Sequence, residues 1–126
     1  MYPADLKYTS DHEWIRVAGD QGQVGITDYA QKQLGDVVYV ELPDVGRTVA
    51  QGDAIGTIES VKAVSEIFAP VSGEIVAVNA TLKDSPETIN SDPHGTWMMT
   101  IRLANPAETT ALLDSTQYAD VVKQGS

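Results

Sequence analysis

The chain has 126 residues, 42% of them hydrophobic, with 8 Lys and Arg set against 18 Asp and Glu for a formal charge of −10. One domain with its own core is the expectation at this size, and so acidic a surface repels phosphate backbones and anionic bilayers, which sets nucleic acid and membrane aside as partners. With no cysteine and only two histidines, His12 and His94, disulfides, thiolate metal sites, a cysteine nucleophile and a His-rich metal cage are excluded together.

The start, Met1-Tyr2-Pro3-Ala4-Asp5, has neither the basic and apolar regions of a signal peptide nor the Arg-rich amphipathic character of a transit peptide. No later run approaches the ~20 apolar residues of a membrane span. A cytoplasmic protein is the simplest expectation; a mature eukaryotic form given a new Met1 would instead sit in the mitochondrial matrix. From Tyr8 to Leu103, short apolar or alternating runs are punctuated by Gly and Pro, the texture of a small all-β sandwich or barrel.

Taken in chain order, the pattern predicts strands at Glu13–Val17 and Gln23–Ile26, then a short helix capped by Asp28, with Gln31 in the capping-box position and Gly35 as its stop. Further strands are predicted at Val37–Glu41, Thr48–Val49, Ala54–Glu59, Ser65–Ala69 and Glu74–Val78. Ile75-Val76-Ala77-Val78 is apolar on both faces and is expected to be covered on both. Thr81–Thr96 lacks alternation and holds Pro86, Pro93 and Gly95, so it reads as a long loop with a turn of helix from Pro86, and loops of this length often carry function. The last predicted strand, Trp97–Leu103, puts Trp97, Met99, Ile101 and Leu103 on one face and Met98, Thr100 and Arg102 on the other. Met98 is thereby expected to point outward, towards a partner surface. Asn105-Pro106 with Glu108 opens a helix ending near Leu113, and Asp114 or Ser115 opens another in which Tyr118, Val121 and Val122 form an apolar stripe.

The most informative stretch runs from Val49 to Val78. Gly52-Asp53 turns the chain, a strand climbs to Glu59, Ser60-Val61-Lys62-Ala63 intervenes, a strand descends from Ser65, and Pro70 with Ser72-Gly73 turns it again. Lys62 then sits at a hairpin tip, ten residues after Gly52 and eleven before Gly73, as the one basic residue between Arg47 and Lys83. Such a tip lifts an ammonium clear of the body while ladder hydrogen bonds pin the backbone below it, which suits covalent attachment of a cofactor arm. An attached arm would visit several surfaces at high effective concentration. On position alone a solvated turn lysine is the commoner reading.

The neighbouring residues shift that reading. Gly52-Asp53-Ala54-Ile55-Gly56-Thr57-Ile58-Glu59-Ser60-Val61-Lys62-Ala63-Val64-Ser65-Glu66, followed by Ala69-Pro70-Val71-Ser72-Gly73-Glu74-Ile75, resembles the attachment hairpin of biotinyl and lipoyl carrier domains, and most closely that of the glycine cleavage system H proteins. Biotin carriers typically flank the lysine with Met, whereas Val61 and Ala63 stand here. Tyr8-Thr9-Ser10-Asp11-His12-Glu13-Trp14-Ile15 is similar to the family's Tyr-x-x-x-His-Glu-Trp segment, and Val24-Gly25-Ile26-Thr27 through Leu34-Gly35-Asp36 to its next element. Val40-Glu41-Leu42-Pro43 and Ile89-Asn90-Ser91-Asp92-Pro93 also fit, so the ordered matches span about residues 6–103. One departure stands out: the family usually reads Pro-Tyr-x-x-Gly-Trp, and this chain reads Pro93-His94-Gly95-Thr96-Trp97, one residue shorter, which implies a different loop path.

The resemblance implies a mainly β fold, a barrel-sandwich hybrid of the biotinyl/lipoyl carrier type with short helices and a helical C-terminus. One lipoyl-carrier domain would cover 1–126, with its β core at about 6–103 and C-terminal helices at about 105–124. It implies a monomeric carrier rather than an enzyme, with lipoic acid amidated onto Lys62 by a lipoate ligase or a lipoyl/octanoyl transferase. The arm would take an aminomethyl group from the glycine decarboxylase, present it to the tetrahydrofolate-dependent aminomethyltransferase, and be reoxidised by dihydrolipoamide dehydrogenase. The loaded group decays in water to formaldehyde and ammonia, so a water-excluding cleft with an acidic lining is expected.

By the same resemblance Glu13 and Glu66 are candidates for docking the arm, in a segment with Asp11 and His12. Each reads equally as a surface strand carboxylate. His12 and His94 lack a third ligand at metal spacing, and Trp14, Trp97 and Met99 read as core. The charge of −10 would steer partners in a salt-sensitive way, or serve solubility alone. Competing readings are a small hydrolase, against which stand the two histidines and the lack of a Gly-x-Ser-x-Gly elbow, a donor of lipoyl groups to other lipoylated enzymes, and an interaction module that is never modified.

Overall fold

The computed structural model describes residues 2–124. Nine strands form two antiparallel sheets among these residues: β1 (Lys7–Tyr8), β2 (Glu13–Ala18), β3 (Gln21–Ile26), β4 (Val37–Glu41), β5 (Thr48–Val49), β6 (Ala54–Ser60), β7 (Val64–Phe68), β8 (Gly73–Val78) and β9 (Met99–Leu103). The larger sheet runs β1-β2-β3-β9-β8-β5 and the smaller β4-β6-β7. Helix α1 (Asp28–Leu34) joins β3 to β4, α2 (Thr88–Ser91) and a 3₁₀ turn at Ala80–Lys83 lie between β8 and β9, and a 3₁₀ segment (Pro106–Ala111) leads to α3 (Ser115–Lys123). The expected carrier-type architecture, mainly β with short helices and a helical C-terminus, is therefore what the chain adopts.

The larger sheet packs one face on the smaller sheet and has the other covered around Trp14, and β2 shows both contacts. Trp14 and Ile15 are adjacent, so they point to opposite faces, and both are fully buried. Ile15 joins Val24, Ile58, Ile75 and Ile101 in the core between the sheets. Trp14 joins Leu6, Tyr8 and Tyr118 in a second cluster beneath α3. Gly25 lies directly opposite Trp14 in the ladder, where a Cβ would come within 2.5 Å of the indole, so only glycine leaves room for the ring. Tyr8 and Tyr118 stack with centroids 4.7 Å apart, and Tyr118 is the one fully buried member of the expected α3 stripe; Val121 and Val122 are half-buried.

The structure also corrects the expectation for Met98. It is fully buried, as are Met99 and Ile101. Met98 precedes β9, with its N–H donating to Val24 O at 2.7 Å and its carbonyl accepting from Asn79 N–H at 2.9 Å, and it packs in the same core as Met99 and Ile101, while Trp97 packs against Trp14 and Tyr118. Strict alternation fails at Met98-Met99 because regular strand pairing begins only at Met99. For Ile75–Val78 the cover is partial: Ile75 is fully buried, and Val76, Ala77 and Val78 are half-buried.

Helix starts differ by a residue or a partner. Thr27, not Asp28, caps α1, its hydroxyl accepting from Ala30 N–H, and Gln31 donates instead to the Asp28 carboxylate at 2.8 Å. Asn105 caps the 3₁₀ segment as expected, but Glu108 turns away to accept from Ser72 N–H and Ser72 Oγ–H at 2.7 and 2.9 Å, tying the C-terminal region to the β7–β8 turn. At α3, Asp114 and Gln117 form a reciprocal capping box. The loop at 81–96 is partly helical, with α2 beginning two residues after Pro86.

Gly73 packs against rigid backbone: a Cβ there would lie 2.0 Å from Arg102 O and 2.7 Å from Ile101 Cγ2. Gly73→Ala should therefore lower the unfolding free energy by about 2 kcal/mol or more, read from urea unfolding, whereas a loss below about 0.5 kcal/mol would show that β8 and β9 separate freely.

Candidate functional site

Lys62 occupies the β6–β7 turn, exposed to solvent, and the turn is fixed by one side chain. Ser60 Oγ accepts from Lys62 N–H at 3.3 Å and Ala63 N–H at 3.0 Å and donates to Ala63 O, while Ser60 N–H donates to the same carbonyl at 2.8 Å. From outside the hairpin, Val61 N–H donates to Asp36 O at 3.1 Å. The aliphatic part of Lys62 lies over the C-cap of α1, where a Cβ on Gly35 would sit 3.2 Å from Lys62 Cε; Gly35 has φ 79, which glycine adopts freely. Lys62 has no ion-pair partner among the described residues.

Beside the tip lies a cleft of about 200 Å³, walled by Ile26, Leu34, Val64 and Ile67 with Asp11, His12 and Glu66 on its polar side. The structure thus brings Glu66, Asp11 and His12 to one cavity. Glu66 is exposed and also borders a second groove of about 330 Å³ near Glu41, Asp44 and Arg47. Glu13 goes elsewhere. Its carboxylate is only 2% exposed, and it accepts from Thr9 Oγ–H at 2.6 Å and Phe68 N–H at 3.1 Å, bridging the β1–β2 loop to the end of β7. Both oxygens are engaged, so Glu13 braces the cleft from behind rather than lining it. Burial drives its pKa up to about 7, against the two hydrogen bonds that favour the charged form.

His12 sits at φ 72, the left-handed region, as the one non-glycine residue with positive φ among those described. The strained turn delivers its Nδ1 to Tyr118 Oη at 2.7 Å, and Tyr118 Oη meets Thr27 Oγ1, also at 2.7 Å. Counting hydrogens fixes the direction of this chain. Thr27 is fully buried and already accepts from Ala30 N–H, and among the described residues the one acceptor bonded to its own proton is Tyr118 Oη. Thr27 therefore donates to Tyr118, Tyr118 donates to His12 Nδ1, and the imidazole is neutral with its proton on Nε2. An imidazolium would reverse the chain and orphan the Thr27 hydroxyl. Burial also lowers the His12 pKa, with Asp11 opposing.

His94 also lies at the start of α1, where its Nε2 accepts from Asp28 N–H at 3.2 Å, and burial lowers its pKa too. The two histidines have separate partners, and no group of three His, Asp or Glu suited to a metal occurs among the described residues. The shortened loop has its own anchors: Pro93 O accepts from Trp14 Nε1–H at 2.9 Å and His94 O from Arg16 at 3.2 Å.

Two antiparallel sheets around one core, with an exposed lysine on a braced hairpin tip beside a cleft, define a carrier domain of the barrel-sandwich class. The comparisons with known proteins agree. A family model described as glycine cleavage H-protein matches residues 6–125. Curated relatives named glycine cleavage system H protein include one from Burkholderia ambifaria, 54% identical over 121 residues (95% of this chain, 96% of the relative). Another, from Symbiobacterium thermophilum, is 55% identical over 124 residues (98% and 97%). A crystal structure of a glycine cleavage system H protein from Mycobacterium marinum superposes with a TM-score of 0.89 at 42% identity, over 99% of this chain and all of that one. The chain belongs to the glycine cleavage H-protein family, and with it to the carrier component of that system.

Long-range ¹H–¹⁵N NMR at neutral pH should find the His12 proton on Nε2 alone, and Tyr118→Phe should let an Nδ1–H population appear; Nδ1–H in the unaltered protein would refute the hydrogen count. Glu13 sets a pH dependence of stability. Between the ordinary carboxylate range and about 7 the folded chain holds this proton and the unfolded chain does not, so stability is greatest on the acid side and declines as pH rises through that window. The decline attributable to Glu13 is on the order of 3 kcal/mol. Urea midpoints from about pH 5 to 8 should show it, and Glu13→Gln should flatten it; an unchanged slope in the variant would place the titration elsewhere.

Proposed function

We propose that Lys62 carries lipoic acid as an amide on Nζ. On this reading the chain moves the aminomethyl group of glycine from the glycine decarboxylase to the tetrahydrofolate-dependent aminomethyltransferase, with dihydrolipoamide dehydrogenase resetting the arm. A bacterial cytoplasm is the compartment we assign. The observation that carries the proposal is the tip itself: an exposed lysine whose flanking backbone is held by Ser60 and by Asp36 O, next to a cleft with two carboxylates on its rim.

The residues present fit such a group. Acylation needs an accessible Nζ, and Lys62 has no carboxylate partner to give up among the described residues. The new amide bond forms as the activating group leaves with its electron pair and the surplus protons pass to solvent. When bound, the lipoyl group supplies a disulfide that takes up the aminomethyl group and is afterwards reoxidised.

The chain supplies position and shelter. Ile26, Leu34, Val64 and Ile67 give the cleft an apolar wall that displaces water, the condition under which an amine-bearing group survives longest. Asp11 and Glu66 seat its ammonium, and the neutral His12 leaves their charge uncompensated. Glu13 acts indirectly, by holding the Thr9 turn against Phe68 so that Asp11 and His12 face the cleft.

Incubation with a lipoate ligase, ATP and lipoate, followed by intact and peptide mass spectrometry, should give a lipoyl-sized gain confined to the peptide containing Lys62. Lys62→Arg should take up none and keep its fold. A folded protein whose Lys62 stays bare would overturn the carrier reading in favour of an unmodified interaction module.

A further inference from the structure

Val61 N–H, next to the lysine, is held by a carbonyl that belongs to neither hairpin strand, so the position of Lys62 depends on whatever holds Asp36. The hydrogen bonds around Asp36 trace to one side chain. Asn90, in the turn of α2, accepts from Val37 N–H through Oδ1 at 2.8 Å and donates through Nδ2 to Gly35 O and to Gln31 Oε1, both at 2.9 Å. Gly35 and Val37 flank Asp36, so Asn90 grips the backbone on both sides of the residue whose carbonyl holds the tip.

We infer that Asn90 is the positioning residue of the carrier lysine: from a loop nearly thirty residues downstream it locks the α1–β4 corner, and through Asp36 O and Gly35 the corner locks Lys62. This rests on the reading of Lys62 as the modified residue. Three features make the corner more than a general staple. Gly35 is the surface over which the Lys62 stem lies, so the corner sets side-chain direction as well as backbone position. Leu34 and Gln33, immediately before it, line the cleft, so the same clamp fixes the tip relative to the cavity its cargo enters. The β4–β6 register shifts between Val37 and Tyr39 and leaves Val38 54% exposed, so the Val37–Ser60 pairing at this corner is set apart from the rest of the ladder and the Asn90 side chain reinforces it.

Asparagine is the residue type the corner calls for. One amide presents an acceptor to Val37 N–H and two donors to the two oxygens. Aspartate would keep the acceptor and set a carboxylate oxygen against Gly35 O and Gln31 Oε1. Gln31 cannot turn to compensate, because its own N–H donates to Asp28.

The test uses the full chain as Asn90→Asp and Asn90→Ala, with lipoylation by a lipoate ligase, ATP and lipoate followed by mass spectrometry, and amide hydrogen exchange measured on the same samples. Both variants should keep the exchange protection of the core amides of β2 and β3, lose protection at Val61, and show kcat/KM for lipoylation about tenfold lower. Wild-type lipoylation rates, or unchanged protection at Val61, would overturn the inference. So would loss of protection in β2 and β3 together with Val61, which would make Asn90 a staple of the whole fold. If the unaltered chain takes up no lipoate the carrier reading fails on its own account, while exchange at Val61 still decides whether Asn90 holds the tip.

Discussion

An exposed lysine gains little from burial, so its place is fixed by the backbone on either side and by the glycine its stem crosses. That constraint organises the molecule. Ser60 closes the turn from within through two backbone N–H groups and a carbonyl, and Asp36 O holds Val61 from without. The six-stranded sheet is the rigid body against which the β4-β6-β7 sheet is held, and through the shared core the hairpin inherits its stiffness.

Rigidity at the tip is matched by polar strain around the cleft. His12 takes a backbone conformation that side chains avoid, and Glu13 is buried as a carboxylate with a pKa raised towards neutrality. Neither arrangement serves stability alone. The two residues are adjacent, and between them they turn one strand end so that Asp11 faces the cavity, His12 bonds Tyr118, and Glu13 ties back to β7. The cost is spread over a well-packed core, in which no buried side-chain nitrogen or oxygen lacks a partner among the described residues.

The hairpin, the turn lysine and most strands were legible because each depends on local signals. Ala54–Ser60 and Val64–Phe68 lie within a residue of their expected ends, and Gly35 stops α1 as read. Most of what escaped depends on contacts between distant segments. The burial of Met98 escaped because it lies just before the regular pairing of β9 begins, where period two no longer assigns the face, and it packs in the same core as Met99. Asn90 lay inside a quoted family segment, but only the fold places it against Gly35. Tyr118 was visible as a stripe residue, and its hydroxyl became informative once Thr27 and His12 were seen on either side. The burial of Glu13 with both oxygens engaged is not legible from a strand position.

The elements outside the two sheets explain why the resemblance extends so far beyond the hairpin. A turn with an exposed lysine needs only β6, β7 and a core. This chain adds α1, the 81–96 segment and α3, and each delivers one polar side chain to the site's supports: Thr27 from the cap of α1, Asn90 from α2, Tyr118 from α3. Thr27 and Tyr118 set the protonation of His12 at the cleft wall, and Asn90 sets the corner beneath the lysine. Holding the lysine in place and shaping the cleft beside it are separate demands; the sheets and Asn90 meet the first, and Thr27 and Tyr118, brought in by the other appended elements, meet the second.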